Sequence, residues 1–204
     1  MLRFARRIVP ERAPALLLDA LQDPHQIVRS NAVDELDELD YTAALPRIEA
    51  LCGDPDPRVR QAALSAIANL GVPDRAVPWL LDALRDPHHL VREQAVRELD
   101  ELDYVPALAR IEALWADPHP DVRQAALAAI DRFRAPGTAI PLLLDGLSDP
   151  DATVRFVAVN RLGSLDQVTG RATFERMLGD PDSDVRERAR SILDEELPEA
   201  GGSQ

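Results

Sequence analysis

Lysine is missing from the chain: all 23 cationic residues among its 204 are arginine. That fits either a GC-rich genome or a preference for bidentate cation pairs, which the planar guanidinium makes and an ammonium does not. Cysteine occurs once, at Cys52. No internal disulfide can therefore form, which suits a reducing compartment. Aromatic residues are only 4% of the chain, so its core has to come from Leu, Ala, Val and Ile, as in thin, repeated helical layers. No apolar run approaches the roughly 18 residues that cross a bilayer. The first twelve residues carry Arg3, Arg6, Arg7 and Arg12 without the apolar stretch of a signal peptide. Cytoplasm is the expected location. The net charge is −13, a field that repels nucleic acid and anionic membrane, so neither is an expected partner. A Gly-rich phosphate loop is absent, as is any plausible Ser/His/Asp or Cys/His set. No catalytic residue and no cofactor are expected.

What the sequence does have is a repeat. The phrase Asp-Pro-x-x-x-Val-Arg begins at Asp23, Asp54, Asp86, Asp117, Asp149 and Asp180. Its spacing alternates between 31 and 32 residues, and residues 23–67 match 86–130 at 32 of 45 positions, so the deeper period is 63. Self-similarity on this scale marks a stacked array. Asp reads as a helix N-cap and Pro as the first helical residue. Val59, Ala63, Ala66, Ile67 and Leu70 then recur at helical spacing. Gly71 ends that helix, and Ala76, Val77, Leu80, Leu81 and Leu84 form the apolar face of the next. Each unit is thus a first helix (A), a tight Asp-Pro turn and a second helix (B). No strand pattern is visible. The expected architecture is an all-α solenoid of about six helix pairs over residues 13–197, with 1–12 as an N-terminal cap segment and 198–204 as a disordered tail.

Three residues carry a family resemblance: a Pro in helix A, an Asp eight residues later and an Arg six beyond that. Pro46, Asp54 and Arg60 fit, as do Pro78, Asp86 and Arg92, and Pro141, Asp149 and Arg155. The units at Asp23, Asp117 and Asp180 lack the Pro. On these residues the chain resembles the HEAT-repeat family, in its short phycobilisome-lyase-like variety. The resemblance implies that the Asp and Arg side chains stack as a ladder between neighbouring repeats. Arg29, Arg60, Arg92, Arg123, Arg155 and Arg186 would then be structural. It also implies that the B helices line a concave face, a groove on the order of 50 by 20 Å for six helices.

Enzymes of similar fold find no echo here. HEAT-like deoxyhypusine hydroxylases hold iron through repeated His-Glu pairs, and the corresponding pairs are His25–Gln26, His88–His89 and His119–Pro120. HEAT-like alkylpurine DNA glycosylases use a basic, aromatic-bearing face, which an acidic, aromatic-poor chain lacks. Three of the four histidines follow an Asp-Pro and read as first-turn polar residues, so no metal site is expected. Cys52 stands where the other units have Leu or Trp and reads as a core residue.

The expectation is a non-catalytic scaffold that binds another protein carrying a basic or apolar segment. The resemblance suggests an alternative, a phycobilin lyase subunit or phycobiliprotein chaperone. Two features mark candidate partner-binding residues. Acidic runs at the ends of two B helices place Glu35, Glu38, Glu98 and Glu101 on a rim, although negative charge there opposes the helix dipole. In the fifth unit Phe156 replaces a residue that is polar in every other unit, with Val157, Asn160 and Arg161 beside it. An aromatic next to arginine is the composition of an interface anchor. Trp79 stands out on helix A, where its counterparts are Leu and Arg.

Overall fold

The computed structural model describes residues 13–71, 73–133, 136–165 and 170–195. The expected cap segment 1–12 and tail 198–204 lie outside them. Among the described residues twelve α-helices follow one another: α1 Ala13–Ala20, α2 Gln26–Glu38, α3 Leu45–Ala50, α4 Pro57–Leu70, α5 Pro73–Ala83, α6 His89–Glu101, α7 Leu108–Ala113, α8 Pro120–Phe133, α9 Pro136–Gly146, α10 Ala152–Ser164, α11 Arg171–Met177 and α12 Ser183–Glu195. Odd-numbered helices are the A members of the pairs and even-numbered ones the B members. No strand occurs among the described residues. The chain is an all-α solenoid of helix pairs, as the repeat requires.

It divides into two compact units, residues 1–107 and 108–204. In unit 1, α2 packs on α4 and α4 on α6, and the A helices α1, α3 and α5 lie against this B layer. Ala32, Leu36, Ile48, Val59, Ile67, Leu80 and Leu99 are fully buried there. In unit 2, α8 packs on α10 and α10 on α12, with α7, α9 and α11 against them. Its core gathers Leu127, Leu143, Val159, Leu162, Phe174 and Ile192. Gly163 lets α10 and α12 approach: a β-carbon there would lie 2.4 Å from Ile192 Cδ1.

The Asp-Pro phrase differs from its expected role in one respect. Each Asp Oδ1 accepts the backbone N–H two residues on, from His25, Asp56, His88, His119, Asp151 and Asp182, at 2.8–2.9 Å. The aspartate therefore makes an Asx turn, and its proline lies in that turn. The helix cap falls two residues later. His25, Asp56, His88 and Asp151 are the N-caps of α2, α4, α6 and α10. Asp56 and Asp151 accept Arg58 N and Thr153 N, and His88 Nδ1 accepts Leu90 N. The histidines at these positions are thus part of helix initiation. The first helical position is taken by proline in α4, at Pro57, and in α8, at Pro120.

Because its Oδ1 only borrows a local N–H, each aspartate has capacity left for a guanidinium. Arg29 Nε and Nη2 donate to Asp54 at 2.8 and 2.7 Å, and Arg60 to Asp86 at 2.7 Å twice. In unit 2 Arg123 holds Asp149 and Arg155 holds Asp180 in the same two-bond fashion, at 2.7–2.9 Å. The third nitrogen, Nη1, donates to the carbonyl of the arginine's own Asp, as in Arg29 to Asp23 and Arg155 to Asp149. Each arginine thus ties its own turn to the turn of the next repeat. The Arg155 guanidinium, against the effect of burial and with help from Asp182 N–H, holds the Asp180 carboxyl below its ordinary range.

Two B helices end in the same unusual way. Asp40 and Asp103, one 63-residue step apart, have φ of 50° and 53°. Tyr41 N donates to Leu36 O and Tyr104 N to Leu99 O, while Asp40 N and Asp103 N reach Asp37 O and Asp100 O. This is a Schellman termination with aspartate where glycine is usual.

Candidate functional site

The B helices of unit 1 present an open cleft of about 370 Å³. Helical spacing sets Ser30 and Asp34 on one face of α2, Arg58, Gln61 and Ser65 on α4, and Leu90 and Gln94 on α6, and these line it. A chain of hydrogen bonds runs across the helices. Gln61 Nε2 donates to Gln94 Oε1 at 3.3 Å. Gln94 Nε2 donates to Glu98 Oε1 at 2.7 Å, and Ser65 Oγ to the same oxygen at 2.9 Å. Further along, Asn69 Nδ2 donates to Asp37 Oδ2 at 2.8 Å.

Carboxyls crowd beside this cleft, which also bears Arg58. Burial raises the Glu98 carboxyl above its ordinary range despite the bonds from Gln94 and Ser65, and Glu101 and Asp37 add to the rise. Asp34 is raised by partial burial and by Asp37, Glu38 and Glu35. Asp37 is raised by burial, against its bond from Asn69, and by Asp40 and Glu38. Three carboxyls held up in this way form a local negative field that a cationic side chain would relieve.

The expected acidic rim needs correcting. Glu35 and Glu98 are buried, at 9% and 4% exposure, and Glu98 lies on the side of α6 that meets Ser65 of α4. Glu38 and Glu101 are the exposed members of the two runs. Trp79 is 37% exposed on α5 and is not among the residues lining the cleft.

In unit 2 Phe156 and Val157 are half-buried and pack against the core. Asn160 is exposed and accepts a bond from Arg188 Nε at 2.8 Å. Phe156 is therefore only partly available at the surface. Trp115 is half-buried as well, and its Nε1 donates to Asp145 at 2.8 Å. Cys52 is half-buried, and burial, with Glu49 nearby, pushes its thiol up to about 12. It carries no thiolate at neutral pH and is a poor nucleophile.

Ser65 and Gln94 lie outside the repeat phrase and outside the acidic runs. One signal could have found them. A 63-residue step maps Ser65 onto Ala128, Gln94 onto Val157 and Glu98 onto Arg161, whereas Gln61 maps onto Gln124. In the duplicated halves these helix-face positions have changed chemical class while the ladder stayed fixed.

The model for HEAT repeats matches residues 14–100, 66–130 and 107–194. Two curated relatives are similar to the chain. The phycocyanobilin lyase subunit beta of a Nostoc species is 29% identical over 192 residues, covering 85% of this chain and 94% of that protein. The uncharacterized phycocyanin operon protein Y of Pseudanabaena tenuis is also 29% identical, over 157 residues. That stretch is 74% of this chain but 37% of that relative. Among solved structures, Escherichia coli YibA aligns with TM-score 0.73 at 21% identity, over 94% of this chain and 72% of its own. The CpcE–CpcF complex of phycocyanin lyase from Nostoc aligns with TM-score 0.55 at 22% identity, over 96% and 87%. At those identities the structural likeness establishes the fold. Among the described residues no helix is long and apolar enough to cross a membrane.

Proposed function

Since the chain belongs to the HEAT-repeat family, whose fold by itself selects no activity, we propose that it is a non-catalytic scaffold that holds another protein against its B helices. The observation that carries this reading is the unit 1 cleft, lined by Asp34, Ser65 and Gln94, with Glu98 bonded to Ser65 and Gln94 beside it and with the Asp34, Asp37 and Glu98 carboxyls raised above their ordinary range. A Lys or Arg side chain of a partner would add positive charge beside these carboxyls. Exposed Glu38 and Glu101 would steer it, raising the association rate more than the affinity. Phe156, Val157, Asn160 and Arg161 remain the proposed contacts in unit 2, and Trp79 a proposed contact on α5.

The test is capture of partners from the native host by wild type and by the triple variant Asp34→Asn, Glu38→Gln, Glu101→Gln. One dominant protein, weakened at least about tenfold by the variant and by added salt, is the expected result. Equal capture by both would remove the cleft from the reading.

A second reading is favoured by one specific observation, the match to a phycocyanobilin lyase subunit over 94% of that protein's length. In that reading the chain is a phycobilin lyase subunit or a phycobiliprotein chaperone, and its partner is a phycobiliprotein or a companion subunit. Incubation with an apo-phycobiliprotein and a linear tetrapyrrole would then produce a visible absorbance band on the phycobiliprotein. No band, with and without a companion subunit, would exclude it.

A further inference from the structure

Three rows of side chains, each one helical turn from the next, cross the B helices of unit 1. Counted from the ladder aspartates, the first row is Ile27 on α2, Arg58 on α4 and Leu90 on α6. The second is Ser30, Gln61 and Gln94, and the third is Asp34, Ser65 and Glu98. The bonds from Gln61 to Gln94 and from Ser65 to Glu98 tie the second and third rows between α4 and α6. The cleft is therefore graded along its length: a cation between apolar side chains, then amides, then carboxyls. Arg58 stands seven residues before Ser65, about 10 Å along α4.

The first row is unusual for the start of a helix. In the second half of the chain the same places hold Asp121, Thr153 and Asp184, whose acidic members suit the positive end of the helix dipole. That dipole opposes a guanidinium. Arg58 is exposed, and among the described residues its side chain makes no hydrogen bond or ion pair that would offset the opposition. Ile27, at 61% exposure, and half-buried Leu90 add apolar surface to the row. At the far end Glu98 is 4% exposed. Both donors that reach it, Gln94 Nε2 and Ser65 Oγ, end on Oε1. Among the described residues neither Glu98 Oε2 nor the Asp34 carboxylate accepts a hydrogen bond.

We infer that the cleft takes a segment of a partner protein that carries both signs of charge: a carboxylate on Arg58, with an apolar side chain next to it on Leu90, and a basic side chain about 10 Å away over Asp34 and Glu98. This rests on the scaffold reading, which supplies the basic contact, and adds Arg58 as the residue that selects among basic segments. Side chains three residues apart on one side of a polyproline-type chain stand about 9 Å from each other. That matches the distance between the two ends of the cleft, and the segment is extended. A purely basic segment meets Arg58 with like charge and is disfavoured there.

Synthetic peptides added to the full chain test this. The probe is acetyl-Leu-Asp-Pro-Pro-Arg-amide, which has no net charge, together with the same residues in reverse order. The comparison is acetyl-Leu-Arg-Pro-Pro-Arg-amide. Binding is read from the amide chemical shifts of unit 1 at physiological salt, which screens charges beyond about 8 Å. One of the two neutral peptides should bind wild type about fivefold or more tighter than the dibasic one. Arg58→Glu puts an acid at a helix start, so its thermal melt should be no lower than that of wild type. This variant should weaken the neutral peptide about fivefold or more and strengthen the dibasic one. Because the probe is neutral, the change in overall charge does not account for that loss. A dibasic peptide that binds wild type as tightly as the neutral ones would overturn the inference and leave the basic contact standing. So would a neutral peptide that Arg58→Glu does not weaken. If none of the three peptides shifts unit 1, the inference and the basic contact fall together.

Discussion

At the level of single residues, the two sets of carboxyls respond to pH in opposite senses. Asp180 has a folded-state pKa below its ordinary value. Its contribution to stability is present above the unfolded pKa and is lost as pH falls through the folded one. Glu98 has a raised pKa, so its contribution is present below the unfolded value and is lost as pH rises through the folded one. Glu98→Gln should therefore match wild type below about pH 4, the ordinary glutamate value. It should become progressively more stable than wild type as pH rises, because the amide never takes the charge. Urea unfolding at several pH values would show the two curves parting. A constant gap across the range would mean that the shift is absent. The buried Arg155–Asp180 pair gives the converse case. Removing one partner leaves a charge buried without its counter-ion, and Arg155→Ala should cost about 3 kcal/mol, measured by denaturant unfolding at pH 7. A loss below about 0.5 kcal/mol, the range of exposed pairs, would show that the rung is only decorative. The burial of Glu98 was not legible in the sequence. An acidic run at a helix end looks like a solvated surface, and nothing within α6 announces that Ser65, on α4, supplies a donor to it.

At the level of helices, both the ends and the packing lead to predictions. Asp40 and Asp103 sit in the left-handed region and place negative charge where the helix dipole is already negative. Glycine removes both penalties at some cost in chain entropy. Asp40→Gly should raise stability by about 0.5–1 kcal/mol, and the same change at Asp103 should do likewise; a melting-temperature series of the two single variants and the double checks both. Gly163 works the other way. Alanine is the better helix former, but its methyl group would collide with Ile192. Gly163→Ala should destabilise unit 2 by about 1–2 kcal/mol net, and Ile192→Val in the same chain should recover part of that. The helices themselves were legible almost residue by residue, because Val59, Ala63, Ala66, Ile67 and Leu70 fall on one buried stripe of α4. The caps were not. Asp followed by Pro satisfies the rules for an N-cap and for an Asx turn alike, and only the hydrogen bond from the N–H two residues on separates them.

At the level of the whole chain, the repeat that made the fold legible also obscured the site. A core position and a cleft-facing position recur with the same period, and duplication copies both. They separate only where the 63-residue copies diverge, as at Gln94 and Val157 or Glu98 and Arg161, and then only once the structure shows which side of a helix each position lies on. The lysine-free composition, open to two explanations at the outset, has found one use. Four guanidiniums each make three or more directed bonds to two turns, which an ammonium could not do in one plane.

The rungs have a consequence for how such a gene can change. An arginine fork closes on the aspartate of whichever repeat follows it, and every repeat offers the same Asx-turned carboxylate. The bond does not recognise a particular neighbour. Unequal recombination that removes or adds whole repeats would therefore leave each new junction already bonded, with no intermediate generation carrying an orphaned buried charge. Array length is free to drift under selection for what is held, while the chemistry of the joints stays the same.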